Sequence, residues 1–227
     1  MPPSTLQNRH HLQEPAVSHL NEELDKCLLA YVAVATAAGV GILSLAQPAE
    51  GKIIYTPTHK TVRLNRAVPI DLNPDGIHDF DVFNKTHNST TPFGSYLKAE
   101  PLRSGNEIWA QQTSRGFYGS ALALRAGARV GSSVQKFAAG REMMAYRSSG
   151  SSTRSGGRWK NVSKRYLGLK FLINGKVHYG WARLNVAISK QISTTLTGYA
   201  YETVPNKSIV TGDTGSEATL GVLARGR

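Results

Sequence analysis

The sequence holds a single cysteine, Cys27, among its 227 residues, so no intramolecular disulfide can form. Acidic residues are also scarce, 15 Asp+Glu against 27 Lys+Arg, which gives a formal net charge of +12. After residue 52 almost no stretch keeps a helical period. That region also lacks a nucleophile elbow, a P-loop, HExxH, CxxC and GxGxxG, the spacings that mark common enzyme classes. What remains is a chain with 40% apolar residues, enough for one sizeable domain and too many for a wholly disordered one.

Lys26 precedes an apolar run at 28–46 (LLAYVAVATAAGVGILSLA), and the small residues Ala49 and Gly51 follow it. A basic flank, an apolar stretch and small residues before a cleavage point describe a secretory signal, with an uncleaved membrane anchor and a buried core helix as alternatives. Cleavage after Gly51 starts the mature chain at Lys52 and removes two basic and five acidic residues. The remaining 25 basic and 10 acidic residues carry +15, with no cysteine.

The expected domain spans 52–212, with a disordered tail at 213–227 and a flexible Gly/Ser-rich loop at 148–157 (SSGSSTRSGG). Short runs at 53–55, 62–64, 68–72, 80–83, 107–111, 166–173, 177–186 and 194–203 read as strands, and 121–128 (ALALRAGA) as a short helix. Many short strands with turn chemistry between them predict a mainly β fold, an antiparallel β-sandwich or open barrel.

The sharpest signal is Asn174-Gly175 between two alternating runs, a type I′ hairpin turn in which both residues need positive φ. Counting outward pairs Ile173 with Lys176, Phe171 with His178, Lys170 with Tyr179 and Gly168 with Trp181. Leu167, Leu169, Phe171 and Ile173 then share a core face. Tyr166, Lys170, Tyr179, Trp181 and Arg183 share the other. Those aromatics either cover a sheet face or form a stacking platform for a sugar ring or another flat ligand, with Arg183 placed for a cation–π contact to Tyr166.

Four of the ten mature acidic residues fall at 71–81, in the sequence DLNPDGIHDFD. Asp71, Asn73, Asp75 and Asp79 supply oxygen at positions 1, 3, 5 and 9, Gly76 allows a tight turn, and the Ile77 carbonyl lies near position 7. That pattern suits Ca²⁺, which takes six to eight oxygens. Position 12 is Val82, so the bidentate Glu of an EF-hand is missing. An Asx-rich turn without metal is the alternative. The spacing resembles the calcium loops of integrin-type β-propeller blades and thrombospondin-type repeats.

His178 and Glu202 are the candidate acid/base residues, by type and by their place on strands beside aromatics. Between Lys85 and Arg165 there are fourteen basic and three acidic residues, a field that attracts polyanions. In an exported chain those are anionic polysaccharide or another envelope polymer, and no nucleic-acid fold signature is present. The leading expectation is a secreted, calcium-stabilised, non-catalytic domain that binds or structures such a polymer. A secreted hydrolase of polysaccharide or peptide is the alternative.

The loop DxNxDGxxDF, the HYGWA hairpin at 178–182 and the AYE strand at 200–202 together resemble a group of exported β-rich proteins of acidobacteria and other Gram-negative bacteria, over residues 28–212. The resemblance implies secretion and a β-rich fold and carries no activity. Some of that group end in a PEP-CTERM sorting tail. Residues 217–227 (EATLGVLARGR) resemble only the start of one, without the Pro-Glu-Pro box.

Overall fold

The computed structural model describes residues 51–87, 93–111, 119–132, 137–150 and 152–215. The expected signal or anchor, Cys27, and the tail beyond residue 215 lie outside them. Among the described residues there is no helix and the fold is mainly β. The first strands are β1 (Ile53–Val62), β2 (Arg66–Ile70), β3 (Phe80–His87), β4 (Phe93–Pro101) and β5 (Glu107–Gln111). Four short or bulged ones follow, β6 (Ser120–Ala121), β7 (Arg129–Val130), β8 (Phe137–Ala138) and β9 (Glu142–Ser149). The last are β10 (Thr153–Gly156), β11 (Val162–Ile173), β12 (Lys176–Ile188), β13 (Ile192–Glu202) and β14 (Ile209–Val210).

One large sheet runs β1-β13-β12-β11-β5-β6-β9-β4-β3-β2, with β10 on β9 and β8 on β5. Its terminal strands, β1 and β2, are consecutive in the chain. A tight turn joins them, in which the Arg66 N–H donates to the Arg63 carbonyl and Asn65 takes φ 58°. Curling the sheet brings its two ends together as a nearly closed barrel, so of the two expected architectures the barrel form is the one present.

The β11–β12 hairpin pairs as counted from its turn, with Ile173 opposite Lys176, Phe171 opposite His178 and Gly168 opposite Trp181. Asn174 and Gly175 hold φ of 50° and 75°, the two positive values a type I′ turn needs. Leu167, Leu169 and Phe171 point into the barrel, where they meet Ile70, Phe80, Val82, Leu97 and Leu184. The opposite face of β11–β13 is also buried. Tyr166, Tyr179, Trp181 and Ala200 pack there against Val130 of β7 and Ile209 of β14, the two strands of a separate ribbon.

One expectation is corrected, the helix at 121–128. Residues 121–128 form no helix, because the Leu122 N–H donates to Trp109 and Leu124 exchanges backbone hydrogen bonds with Tyr166 before a turn at Ala126-Gly127. Within the expected loop at 148–157, β9 and β10 pair, with Ser148 opposite Arg154 and Ser149 opposite Thr153. Strands β4 and β9 were not anticipated at all. They pair antiparallel with a bulge at Leu97/Lys98, where Met144 is the extra residue on β9. Both Met144 and Ala145 are thereby buried. Gly157, at φ +101°, lies so close to this bulge that a Cβ would sit 2.4 Å from the Met144 carbonyl oxygen. That approach lets Trp159 enter the core, its indole N–H donating to the Ala121 carbonyl at 3.0 Å.

Glu142 is the anomaly of this packing. It is 3% exposed, its Oε2 has no hydrogen-bond partner, and burial raises its carboxyl pKa. Below the ordinary glutamate range the group is neutral in both folded and unfolded chains. As pH rises the unfolded chain ionises first, so folding loses stability until the raised folded value is passed. Glu142→Gln removes this titration. Its melting temperature should match wild type below the ordinary glutamate range and exceed it increasingly as pH rises above that range. A difference independent of pH would contradict this account.

Candidate functional site

The outward side chains of β3 and β4 form a three-rung ladder. Asp81 lies opposite Glu100, Phe83 opposite Lys98, and Lys85 opposite Tyr96. Their inward neighbours Val82, Leu97 and Ala99 are in the barrel core, so alternation alone projects the polar set outward. Arg66 at the start of β2 and Arg141 just before β9 complete a groove of about 340 Å³. A larger hollow of about 430 Å³, lined by residues such as Asn161, Val162, Ser193 and Thr195, contains no charged side chain and offers less chemistry.

The groove holds both like-charge neighbours and an ion pair, with Glu100 beside Arg141 and acting in favour of the Lys98 charge. Lys98 is only 7% exposed and its pKa is lowered, first by burial and then by the Arg141 charge. Its Nζ lies 4.6 Å from the Tyr96 ring centroid. The Arg141 Nε meets the Glu100 carboxylate at 2.6 Å, and its guanidinium lies 5.9 Å from the Phe83 ring centre. Asp81 has its carboxyl pKa raised, chiefly by burial, with the Glu100 charge adding to the rise and His78 opposing it. The rings of Phe83 and Tyr96 meet edge to face at 6.4 Å.

The acidic turn joins β2 to β3. The Asp71 carboxylate accepts from the N–H groups of Asp75 at 3.3 Å and Gly76 at 2.9 Å, and Asp75 accepts from Ile77 N–H and the Asn73 amide. These bonds, led by that from Ile77, lower the Asp75 pKa. Gly76 adopts φ +81°, as its place in the turn requires. Asn73 Oδ1 is buried and has no partner. Asp79 turns the other way. It is 3% exposed, accepts from Leu72 N–H at 2.9 Å, and receives the Asn106 amide. Burial raises its pKa. Among the described residues no three His, Cys, Asp or Glu side chains group as a metal site.

The hairpin aromatics are where the counted register puts them, but they are covered. Trp181 is 0% exposed, Tyr166 meets it edge to face at 5.1 Å, and Tyr179 packs on Phe137. This face is a second core layer, because β7 and β14 lie over it. Arg183 donates to the Thr197 hydroxyl, the Thr197 carbonyl and the Tyr55 hydroxyl. His178 and Glu202 do meet, though through the backbone. His178 Nδ1 is 2.9 Å from the Glu202 carbonyl oxygen, and the Glu202 carboxylate engages Lys207 and the Val204 N–H.

No protein-family model, curated protein or solved structure matches the chain. The groove residues escaped sequence reasoning, although a signal was present. DVFNK at 81–85 and YLKAE at 96–100 each alternate an outward charge or ring with an inward residue. Only the pairing of β3 with β4 turns two ordinary edges into one surface.

His178 packs between the Phe171 and Tyr201 rings. His178→Phe keeps that stacking and deletes the hydrogen bond, and should lower stability by about 0.5–1.5 kcal/mol. Urea denaturation reads this directly, and an unchanged midpoint would remove His178 from the structural framework.

Proposed function

We propose that this is a secreted or cell-envelope β domain, stabilised by Ca²⁺ and non-catalytic, that binds or structures anionic surface polymer through the β2–β3–β4 groove. One observation carries the reading: Arg66, Lys85, Lys98 and Arg141 line one concave surface with two aromatic rings and only two carboxylates. Four cations in a partly desolvated groove attract an anionic chain, and the rings offer flat apolar area beside it. The polymer is anchored by charge-assisted hydrogen bonds, so its retention falls as salt screens them. Arg66→Ala with Lys85→Ala should weaken binding to an acidic polysaccharide about tenfold, as loss of charge-assisted contacts does, without moving the melting temperature. Affinity electrophoresis measures the first and calorimetry the second. Equal mobility of wild type and variant would count against the groove.

The β2–β3 turn suits Ca²⁺ by its donor set. Asp71, Asn73 and Asp75 present side-chain oxygens within one turn, and the orphaned Asn73 Oδ1 is the acceptor a cation would satisfy. Those three residues and the Ile77 carbonyl would hold the ion, with Asp79 buttressing the loop from below. Bound Ca²⁺ neutralises the crowded carboxylates and locks the entry to β3. At tenfold excess over its Kd it adds about 1.4 kcal/mol of stability, which raises the melting temperature by about 3–5 °C in a domain of this size. Asp75→Ala should abolish that rise, and a melting temperature indifferent to both Ca²⁺ and EDTA would remove the metal from the proposal.

A second reading, hydrolysis of the same polymer, is favoured by the Asp81–Glu100 pair, two facing carboxyl groups with one pKa raised. It differs in one measurement: release of reducing ends that Asp81→Asn abolishes.

A further inference from the structure

Resting on the polymer-binding reading above, we infer that an acidic polysaccharide is held along a track that leaves the groove at Arg66, crosses the β1–β2 and β12–β13 turns, and ends in the uncharged hollow on β11–β13. The barrel has one end that carries acids and one that does not. Among the described residues, Asp and Glu lie in the β2–β3 turn, at the adjoining ends of β3, β4, β5 and β9, at the last residue of β13, and beyond β14. No acidic residue occurs from 143 to 201, a stretch that holds ten Lys and Arg. None occurs in β1, in β2 or in the turn between them.

The acid-free end is drawn together by side chains that reach between its turns. The Asn84 amide donates to the Ile192 carbonyl, Asn65 accepts from the Thr86 N–H and hydroxyl, and Arg147 donates to the Ser189 carbonyl. Arg63, Arg66, Lys85, Lys164 and Lys190 are exposed at this end, and among the described residues none of them is in an ion pair. The pairs Arg141–Glu100, Lys170–Glu107 and Lys207–Glu202 lie toward the other end. A field of one sign without carboxylates attracts a polyanion. Because β1 and β2 are the adjoining ends of the curled sheet, the way from β3 to β12 crosses β2, β1 and β13, four strand spacings or about 19 Å. A chain longer than the groove can therefore reach the hollow.

The hollow has the chemistry to hold that far end. Asn161, Ser163, Asn185, Ser193 and Thr195 supply its polar lining. The Asn185 oxygen accepts from the Ser163 hydroxyl at 3.2 Å and from the Lys164 N–H at 2.7 Å, and the Asn161 oxygen accepts from the Ile188 N–H at 2.8 Å. Both amides thus spend their acceptor on the fold and keep their NH2 groups as donors. Donor amides and hydroxyls with no carboxylate among them suit the oxygens of an anionic sugar, and Lys164 stands beside them to strengthen those bonds. No aromatic side chain lines the hollow, so it offers no face on which a nucleobase would stack.

The full chain is titrated calorimetrically with trigalacturonate, short enough for the groove alone, and with polygalacturonate, long enough for the whole track. Arg63→Ser with Lys190→Ser should weaken polygalacturonate about tenfold and leave trigalacturonate unchanged, since neither residue lines the groove. Ser193→Glu, which puts a carboxylate into the hollow, should do the same. Lys52→Ser with Lys176→Ser removes equal charge at the acidic end and should change neither ligand. Equal weakening by that pair would reduce the track to net charge and overturn it. So would polygalacturonate binding that the track variants leave unmoved while Arg66→Ala with Lys85→Ala weakens both ligands, an outcome that keeps the groove reading. Tighter binding of oligothymidylate than of polygalacturonate would overturn the polysaccharide assignment. Binding of neither galacturonate would overturn both readings. Melting temperatures equal to the wild-type value are expected for these exposed substitutions and guard against loss of fold.

Discussion

The strands β11 to β13 are buried on both faces, and the disposition of everything else follows from that constraint. Their inner face supplies Leu167, Leu169, Phe171, Ala182 and Leu184 to the barrel core. Their outer face carries Tyr166, Tyr179 and Trp181 under the β7–β14 ribbon. Where both faces are covered no surface is left for a ligand, and these strands stay open only at the end where Val162, Asn185 and Ser193 line the uncharged hollow. The open surface lies in the other half of the sheet, where β2, β3 and β4 keep one face in the core and one exposed. The groove lies on that open face, at the end of the strand order farthest from the hairpin.

Whether a feature was legible in the sequence depended on how far away its partner lay. The hairpin register could be counted because Asn174-Gly175 fixes it within a few residues, and every counted pair is present. Burial of Trp181 could not be read, because Val130 and Ile209, which help cover it, lie far along the chain on either side. The helix expected at 121–128 failed for the same reason. ALALRAGA satisfies a helical pattern locally, but Leu124 bonds to Tyr166 of β11 and the tertiary bond prevails. Strands β4 and β9 were obscured by chemistry instead of distance. Lys98 and Glu142 are charged residues in buried positions, and the bulge at Met144 breaks the period-two pattern that marks a strand. The turn at 71–77 was the most readable part of the candidate chemistry, since Asx turns and a glycine at positive φ are local devices. The inward turn of Asp79 was not readable, because its partner Asn106 lies on a different connection.

The basic excess also changes meaning once placed on the fold. Many of the arginines and lysines between residues 85 and 165 act as surface ties. Arg147 donates to the Ser189 carbonyl, Arg129 to the Ser208 hydroxyl, Arg158 to Gln111 and Lys160 to the Ser155 carbonyl. Such contacts join loops and strand ends, and each adds little stability when exposed. The cations concentrated in a concave surface are a minority, and one of them, Arg66, lies outside the basic segment altogether. The net charge is therefore spread largely over surface ties, and only a few cations are set among carboxylates and rings.

Those few are held at a cost that the rest of the domain must offset. A lysine with little exposure loses hydration, and placing Arg141 near it adds repulsion, while Asp81 opposite Glu100 does the same in the opposite sign. The rigidity needed to hold like charges together comes from the inward residues of the same strands. Val82, Leu97 and Ala99 have no exposed surface and leave β3 and β4 no freedom to splay. The side chains that make the groove unfavourable when empty are thus fixed by the packing directly beneath them, and alternation along two strands is enough to build both layers.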